Sequence, residues 1–190
     1  MAFRRGFKSQ CERRAVEVRK DLGLSKIAPL KAFDLAKHFG ITVWSTEEIA
    51  GLSPEDQKNL TSEDNDSWSA LTIRMGINNL VIYKNGQSFP RTNSVIMHEL
   101  SHIILGHELA DACISNDGSF APSNFNQEQE EEANWLGGTL LLPRPLLLYI
   151  RQKNMNNQEV REIYGVSEAM LIWRVRMTGV DSQMKNSYQR

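Results

Sequence analysis

The feature that most constrains this chain is the run Val95-Ile96-Met97-His98-Glu99-Leu100-Ser101-His102-Ile103-Ile104-Leu105-Gly106. It sets H-E-x-x-H among apolar residues at helical spacing and closes with a glycine. A helix turns about 100° per residue, so His102 stands only about 40° around the axis from His98, and Glu99 about 60° beyond His102. The three polar side chains therefore share one edge, while Val95, Ile96, Ile103, Ile104 and Leu105 cover the other faces. Two imidazoles so placed suit Zn²⁺, with the glutamate positioned to act as a base on a metal-activated water. A single buried histidine is commonly just a hydrogen-bonded core residue. A pair around a glutamate, on an apolar helix and followed by a glutamate-rich second helix, has no such simple explanation.

With 190 residues, 41% of them hydrophobic and 24% charged, the chain suits one globular domain, or one domain with a small appendage. A net charge of −1 gives no global field toward nucleic acid or an anionic membrane. The basic N-terminus (Arg4, Arg5, Lys8, Arg13, Arg14, Arg19, Lys20) and the acidic stretch 47–66 read most simply as solvated surfaces. Cys11 and Cys113 lack any spacing for a metal knuckle or redox pair, and are expected as free thiols of a reducing cytoplasm. No apolar stretch follows the basic start as a secretory signal would require, and the apolar run 136–150 is broken by Pro143, Arg144 and Pro145. The expectation is a soluble, cytoplasmic protein.

Along the chain, residues 9–22 repeat apolar positions at three and four and predict an amphipathic helix stopped by Gly23. A second helix after Pro29 should turn Leu30, Phe33, Ala36 and Phe39 inward, with His38 at or near its surface, and residues 41–44 should form a short strand. The polar segment 45–67 reads as a loop with one short helix near 54–60. Residues 68–75 and 80–83, on either side of Gly76-Ile77-Asn78-Asn79, predict a β-hairpin. Arg91 to Ser94 offer N-caps for the H-E-x-x-H helix, and 111–126 reads as a long loop at the rim of the site. Helices are then expected over 127–142, 146–153, 157–164 and 167–178.

A catalytic zinc usually has three protein ligands, so H-E-x-x-H calls for one more. His107 would stand about 180° from His98 on a continued helix, a poor position for the same ion, and reads better as a C-terminal cap. Glutamates 128, 130, 131 and 132 are separated by helix geometry. Glu130 shares its face with Ala133, Asn134 and Gly137, small residues that allow close approach to the zinc helix. Glu128, with Glu131 and Glu132 beside it, looks outward, and Glu132, beside Trp135, Leu136 and Thr139, sits at the edge of the core stripe. Glu130 is thus the favoured ligand, with Asn134 supporting a ligating histidine.

These residues resemble the ImmA/IrrE family of zinc metallopeptidases. The resemblance runs from Trp68-Ser69-Ala70 to Tyr83, through Arg91 to His102, and on to Glu130-Glu131-Glu132-Ala133-Asn134-Trp135-Leu136-Gly137-Gly138-Thr139-Leu140-Leu141-Leu142-Pro143. Weaker likeness reaches the opening helices and Tyr164-Gly165-Val166-Ser167. It implies an α+β, mostly helical zincin-like metallopeptidase domain with a small antiparallel sheet beside the H-E-x-x-H helix. That domain is expected over 1–150, with a C-terminal helical extension, 151–190, packed on it. The resemblance further implies zinc on His98, His102 and Glu130, and Glu99 as catalytic base. Family members are bacterial or phage proteins, several of which act on helix-turn-helix repressors; many carry a helix-turn-helix domain of their own, for which this chain has no room. Trp135-Leu136-Gly137-Gly138 departs from the usual Phe-Ala-Ala-like stretch.

The expected activity is that of a zinc endopeptidase cleaving a helix-turn-helix repressor or similar regulator, with no membrane or direct nucleic-acid partner. The alternative is a regulator that holds zinc and binds a repressor without cutting it. A reading in which Arg174 and Arg176, beside Trp173, contact DNA rests on a pattern that an amphipathic surface helix explains equally well. Arg91, His107 and Tyr83 stay open as donors to a developing oxyanion.

Overall fold

The computed structural model describes residues 3–50, 68–108, 112–114, 120–122 and 126–187. The opening helix α1 (Phe7–Asp21) buries Phe7, Cys11, Ala15 and Val18 at the expected spacing. Helix α2 (Ala32–His38) buries Ala32, Leu35 and Ala36. Phe33, expected inside, is instead 38% exposed and lies edge-on to Tyr83, because the short helix turns its 32-35-36 face to the core. His38 is exposed as expected.

Strand β1 (Thr42–Ser45) runs into a 3₁₀ turn, Thr46–Glu48, closed by a capping box between Ser45 and Glu48. The anticipated helix near 54–60 lies outside the described residues. Strands β2 (Ala70–Met75) and β3 (Asn78–Tyr83) form the antiparallel hairpin, and Gly76, at φ 62°, supplies the left-handed residue of its tight turn. The central strand is β3, since β1 adds to its far side in parallel. The sheet beside the site is therefore mixed, and β3 reads Leu80-Val81-Ile82, buried on both faces. Val81 joins the main core, while Leu80 and Ile82 form a second cluster with Trp68.

Helix α3 (Phe89–Leu105) carries H-E-x-x-H and starts earlier than the 91–94 caps suggested, with Ser88 at its N-cap and Pro90 in the first turn. Asn93 is buried instead of capping. Its Oδ1 accepts from the Ala32 amide at 2.8 Å, and its Nδ2 donates to the Gly165 carbonyl at 3.0 Å, tying α3 to two other helices. In the segment read as a rim loop, β4 (Ala112–Ile114) and β5 (Phe120–Pro122) pair antiparallel, a short ladder that the polar composition hid.

Helix α4 (Gln127–Leu141) is followed by α5 (Arg144–Gln152), α6 (Asn157–Tyr164), α7 (Glu168–Thr178) and α8 (Val180–Ser187). The last of these was not anticipated; Gly179, left-handed at φ 64°, ends α7, and α8 begins at the buried Val180. Leu146, Leu147, Ile150, Val160, Leu171 and Val180 share one core with Val18, Ile96, Leu100 and Leu140. Arg174, considered for DNA contact, is fully buried. Its Nε donates to the Leu142 carbonyl at 3.1 Å and its Nη2 to Glu12 at 2.7 Å. Among the described residues, no helix is long and apolar enough to cross a membrane.

Candidate metal centre

The site forms where α3 and α4 pack against each other under strand β2. Asn126 opens α4 by accepting the amides of Glu128 and Gln129, which fixes the first turn and hence the direction of Glu130. One face of α4 is small, as the sequence suggested. Ala133 is fully buried, and a Cβ added at Gly137 would sit 3.3 Å from Ser101 Oγ, 3.4 Å from the Met97 carbonyl and 3.6 Å from His98 Cα. Glycine there lets the two helices come close enough for one carboxylate to span two imidazoles.

That carboxylate belongs to Glu130. Its Oε2 lies 3.1 Å from His98 Nε2 and its Oε1 3.3 Å from His102 Nε2, and the two Nε2 atoms are 3.1 Å apart. Tetrahedral zinc with bonds of 2.0–2.1 Å places neighbouring ligand atoms about 3.3 Å from one another. Each Glu130 oxygen stands at about that spacing from the imidazole nitrogen it faces, as do the two nitrogens from each other, and one ligand atom of each residue lies within 4.8 Å of the others. Exposure of the side chains rises from 10% at His102 through 23% at His98 to 34% at Glu130, so the cluster is open on one side, where a fourth ligand would enter. Hydrogen bonds from His102 and His98 hold the Glu130 carboxyl far below the usual carboxylate range. Burial disfavours charge on His98, but the Glu130 hydrogen bond and the charges of Glu99 and Glu130 outweigh it and raise its pKa.

Glu99, whose charge acts on His98, also reaches the sheet. Thr72 Oγ1 donates to its Oε2 at 2.7 Å. Thr72 was not recognised in the sequence, although its register partner Val81 is a core residue, and that pairing turns both toward α3. A hydroxyl at a strand position that faces H-E-x-x-H was the available signal.

His107 was also misjudged. The helix ends in a Schellman turn, with the His107 amide on the His102 carbonyl and the Gly106 amide on the Ile103 carbonyl. Gly106, at φ 69°, makes that reversal possible. The turn folds His107 back onto His102, with Nδ1 atoms 3.0 Å apart, and its Nε2 lies 3.3 Å from Glu132 Oε2. His107 is thus a buried partner of His102 and not a cap on helix carbonyls. Asn134, expected to support a histidine, lies beside His98, where a hydrogen bond to its side chain adds to the rise of that ring's pKa. Among the other oxyanion candidates, Arg91 donates to Ser69 Oγ at 2.7 Å, and Tyr83 stacks edge-on with Phe33.

A mostly helical α+β domain with a small sheet laid on an H-E-x-x-H helix is the zincin-like metallopeptidase architecture. The IrrE N-terminal-like domain of the peptidase M78 family matches residues 36–176, a span that includes Glu99 and all three candidate ligands, and the chain belongs to this family. No curated protein matches it by sequence. A Mycobacterium tuberculosis transcriptional regulator has a similar fold, with a TM-score of 0.51 and 14% identity over 91% of this chain and 56% of the regulator. The chain thus spans little more than half of that protein's length.

Proposed function

We propose that this chain is a zinc endopeptidase that cuts a helix-turn-helix repressor or a similar regulatory protein. The observation that carries the reading is the convergence of His98, His102 and Glu130 on one point beside a glutamate that none of them engages through a hydrogen bond. Zinc bound there would supply a Lewis acid for the scissile carbonyl and acidify a water. His98, His102 and Glu130 would hold the ion and leave its exposed side open. Glu99 would take the proton of the attacking water and deliver it to the departing amide nitrogen. Because Thr72 occupies Oε2, the oxygen left for that proton is Oε1. Strand β2 is an outer strand of the sheet, so a peptide added along it would pass beside the same glutamate. The regulatory substrate rests on the family resemblance.

The rival reading, a regulator that binds without cutting, has no use for a glutamate held with one oxygen free. The two separate in a comparison of wild type, Glu99→Gln and His98→Ala, measuring bound zinc and cleavage of candidate repressors. Glu99→Gln should keep zinc and lose at least about 10²-fold in cleavage rate, and His98→Ala should lose both. Undiminished cleavage by Glu99→Gln would refute the catalytic assignment. Tight binding of a repressor that the zinc-loaded wild type leaves intact would favour the non-catalytic regulator.

A further inference from the structure

Behind the three candidate ligands runs a second line of polar groups that metal binding alone does not require. From His102 Nδ1 it passes to His107 Nδ1 at 3.0 Å, from His107 Nε2 to Glu132 Oε2 at 3.3 Å, and from Glu132 Oε1 to Arg4 Nε at 3.8 Å. The members are held by different parts of the fold. His102 lies on α3, His107 in the turn after it, Glu132 on α4 and Arg4 just ahead of α1. His102 and His107 are both buried, and the Glu132 side chain is 14% exposed.

We infer that His107 and Glu132 are positioning residues that fix the tautomer of His102, so that its Nε2 presents a lone pair to the metal. An ionised carboxylate only accepts, so at the Glu132 end the proton must belong to His107 Nε2. Neutral His107 then has a bare Nδ1, which can only accept. The facing atom, His102 Nδ1, must therefore carry the proton, and in the zinc-loaded protein His102 Nε2 is left free for the metal. Reversing the chain would put the His102 proton on Nε2, between Glu130 Oε1 at 3.3 Å and His98 Nε2 at 3.1 Å, where the ion belongs. Glu132 thus breaks a symmetry that the two imidazoles alone would leave open, with Arg4 facing its other oxygen. A ligating histidine held through its other nitrogen by a carboxylate is a recurrent device; here a second histidine is interposed between them.

This inference rests on the metal assignment and not on peptidase activity, so its test reads zinc directly. Zinc affinity of the full chain is measured by chelator competition for wild type, His107→Phe and Glu132→Gln, with thermal melts of the zinc-free proteins alongside. Phenylalanine keeps the buried ring and removes both nitrogens; glutamine keeps the shape of Glu132 but can also donate. Wild type should bind one zinc. His107→Phe should bind about 10–100-fold more weakly, Glu132→Gln should fall between, and the zinc-free melts should not follow that order. In zinc-loaded wild type, long-range ¹H–¹⁵N correlation should show His102 protonated at Nδ1, with that proton shifted downfield by its bond to His107; His107→Phe should lose the shift. If wild type failed to bind zinc, the metal assignment itself would fall. If wild type bound and both variants matched it within twofold, with the His102 Nδ1 signal unchanged, only the positioning role would be overturned.

Discussion

The two ends of helix α4 bury polar groups in opposite ways. At its C-terminal end, Arg19 and Arg174 are both fully buried, and they donate to the carbonyls of Leu141 and Leu142, which the helix itself leaves unpaired. Arg19 also donates to the carbonyls of Ala15 and Ala28, while Arg174 reaches Glu12 and lies against the rings of Trp135 and Trp173. Charge there meets acceptors supplied by the chain. At the N-terminal end, His98, His102 and Glu130 point at one another, and once the imidazoles are neutral with Nδ1 protonated, all three converging atoms are acceptors. Acceptors gathered without a donor define a place for a cation. The contrast separates a buried charge that holds the fold from a cluster that waits for an ion.

The sharpest way to break this contrast is to cut each end and read both zinc and stability. Glu130→Ala should weaken zinc binding by more than about 100-fold, beyond what an outer partner contributes, and leave the zinc-free melt nearly unchanged. Arg174→Leu should do the reverse. Removing one member of a buried ion pair costs about 3 kcal/mol, at the low end of the usual range because Glu12 keeps contact with water. Equilibrium denaturation of the zinc-free protein and chelator competition measure the two effects separately. If Arg174→Leu lost zinc as severely as Glu130→Ala, the two ends would not be independent.

A smaller effect concerns pH. In the metal-free protein the folded pKa of His98 is raised above its ordinary value, so the stability this proton contributes is complete below about pH 6.5 and is lost as pH rises through the folded value. Zinc competes for the same nitrogen and gains as the proton leaves. The zinc-induced rise in Tm should therefore be larger at pH 8 than at pH 6, and an equal rise at both would count against His98 as a ligand. The smallest effect lies away from the site. Burial pushes the Cys11 thiol up to about 12, so the native protein should react with thiol reagents at pH 8 far more slowly at this position than the unfolded chain. Peptide mapping after alkylation would show it, and prompt native labelling of Cys11 would contradict the packing of α1.

What could be seen in the sequence was local or periodic. H-E-x-x-H, the choice of Glu130 from its small-residue face, the hairpin and the order of the helices all follow from spacings of three, four and two. What was hidden depended on contacts between elements distant in the chain. Thr72 meets Glu99 only because β2 lies on α3, and Arg174 looks like a surface residue until Glu12 and the Leu142 carbonyl surround it. Phe33 was misplaced because a two-turn helix gives too few residues to define its face. His107 was the nearest miss. The residue after a C-terminal glycine commonly packs back on the last turn of its helix, and here that turn carries His102, a candidate ligand.

The central claim is that two imidazole nitrogens and one carboxylate hold a single zinc between α3 and α4. X-ray absorption at the zinc edge of the loaded protein tests it most directly. The account predicts a four-coordinate ion with two nitrogens of imidazole type and oxygen scatterers, all near 2.0–2.1 Å, and no such zinc shell in His98→Ala, which should not retain the ion. A sulfur shell near 2.3 Å, or a wild-type zinc shell retained by His98→Ala, would contradict it.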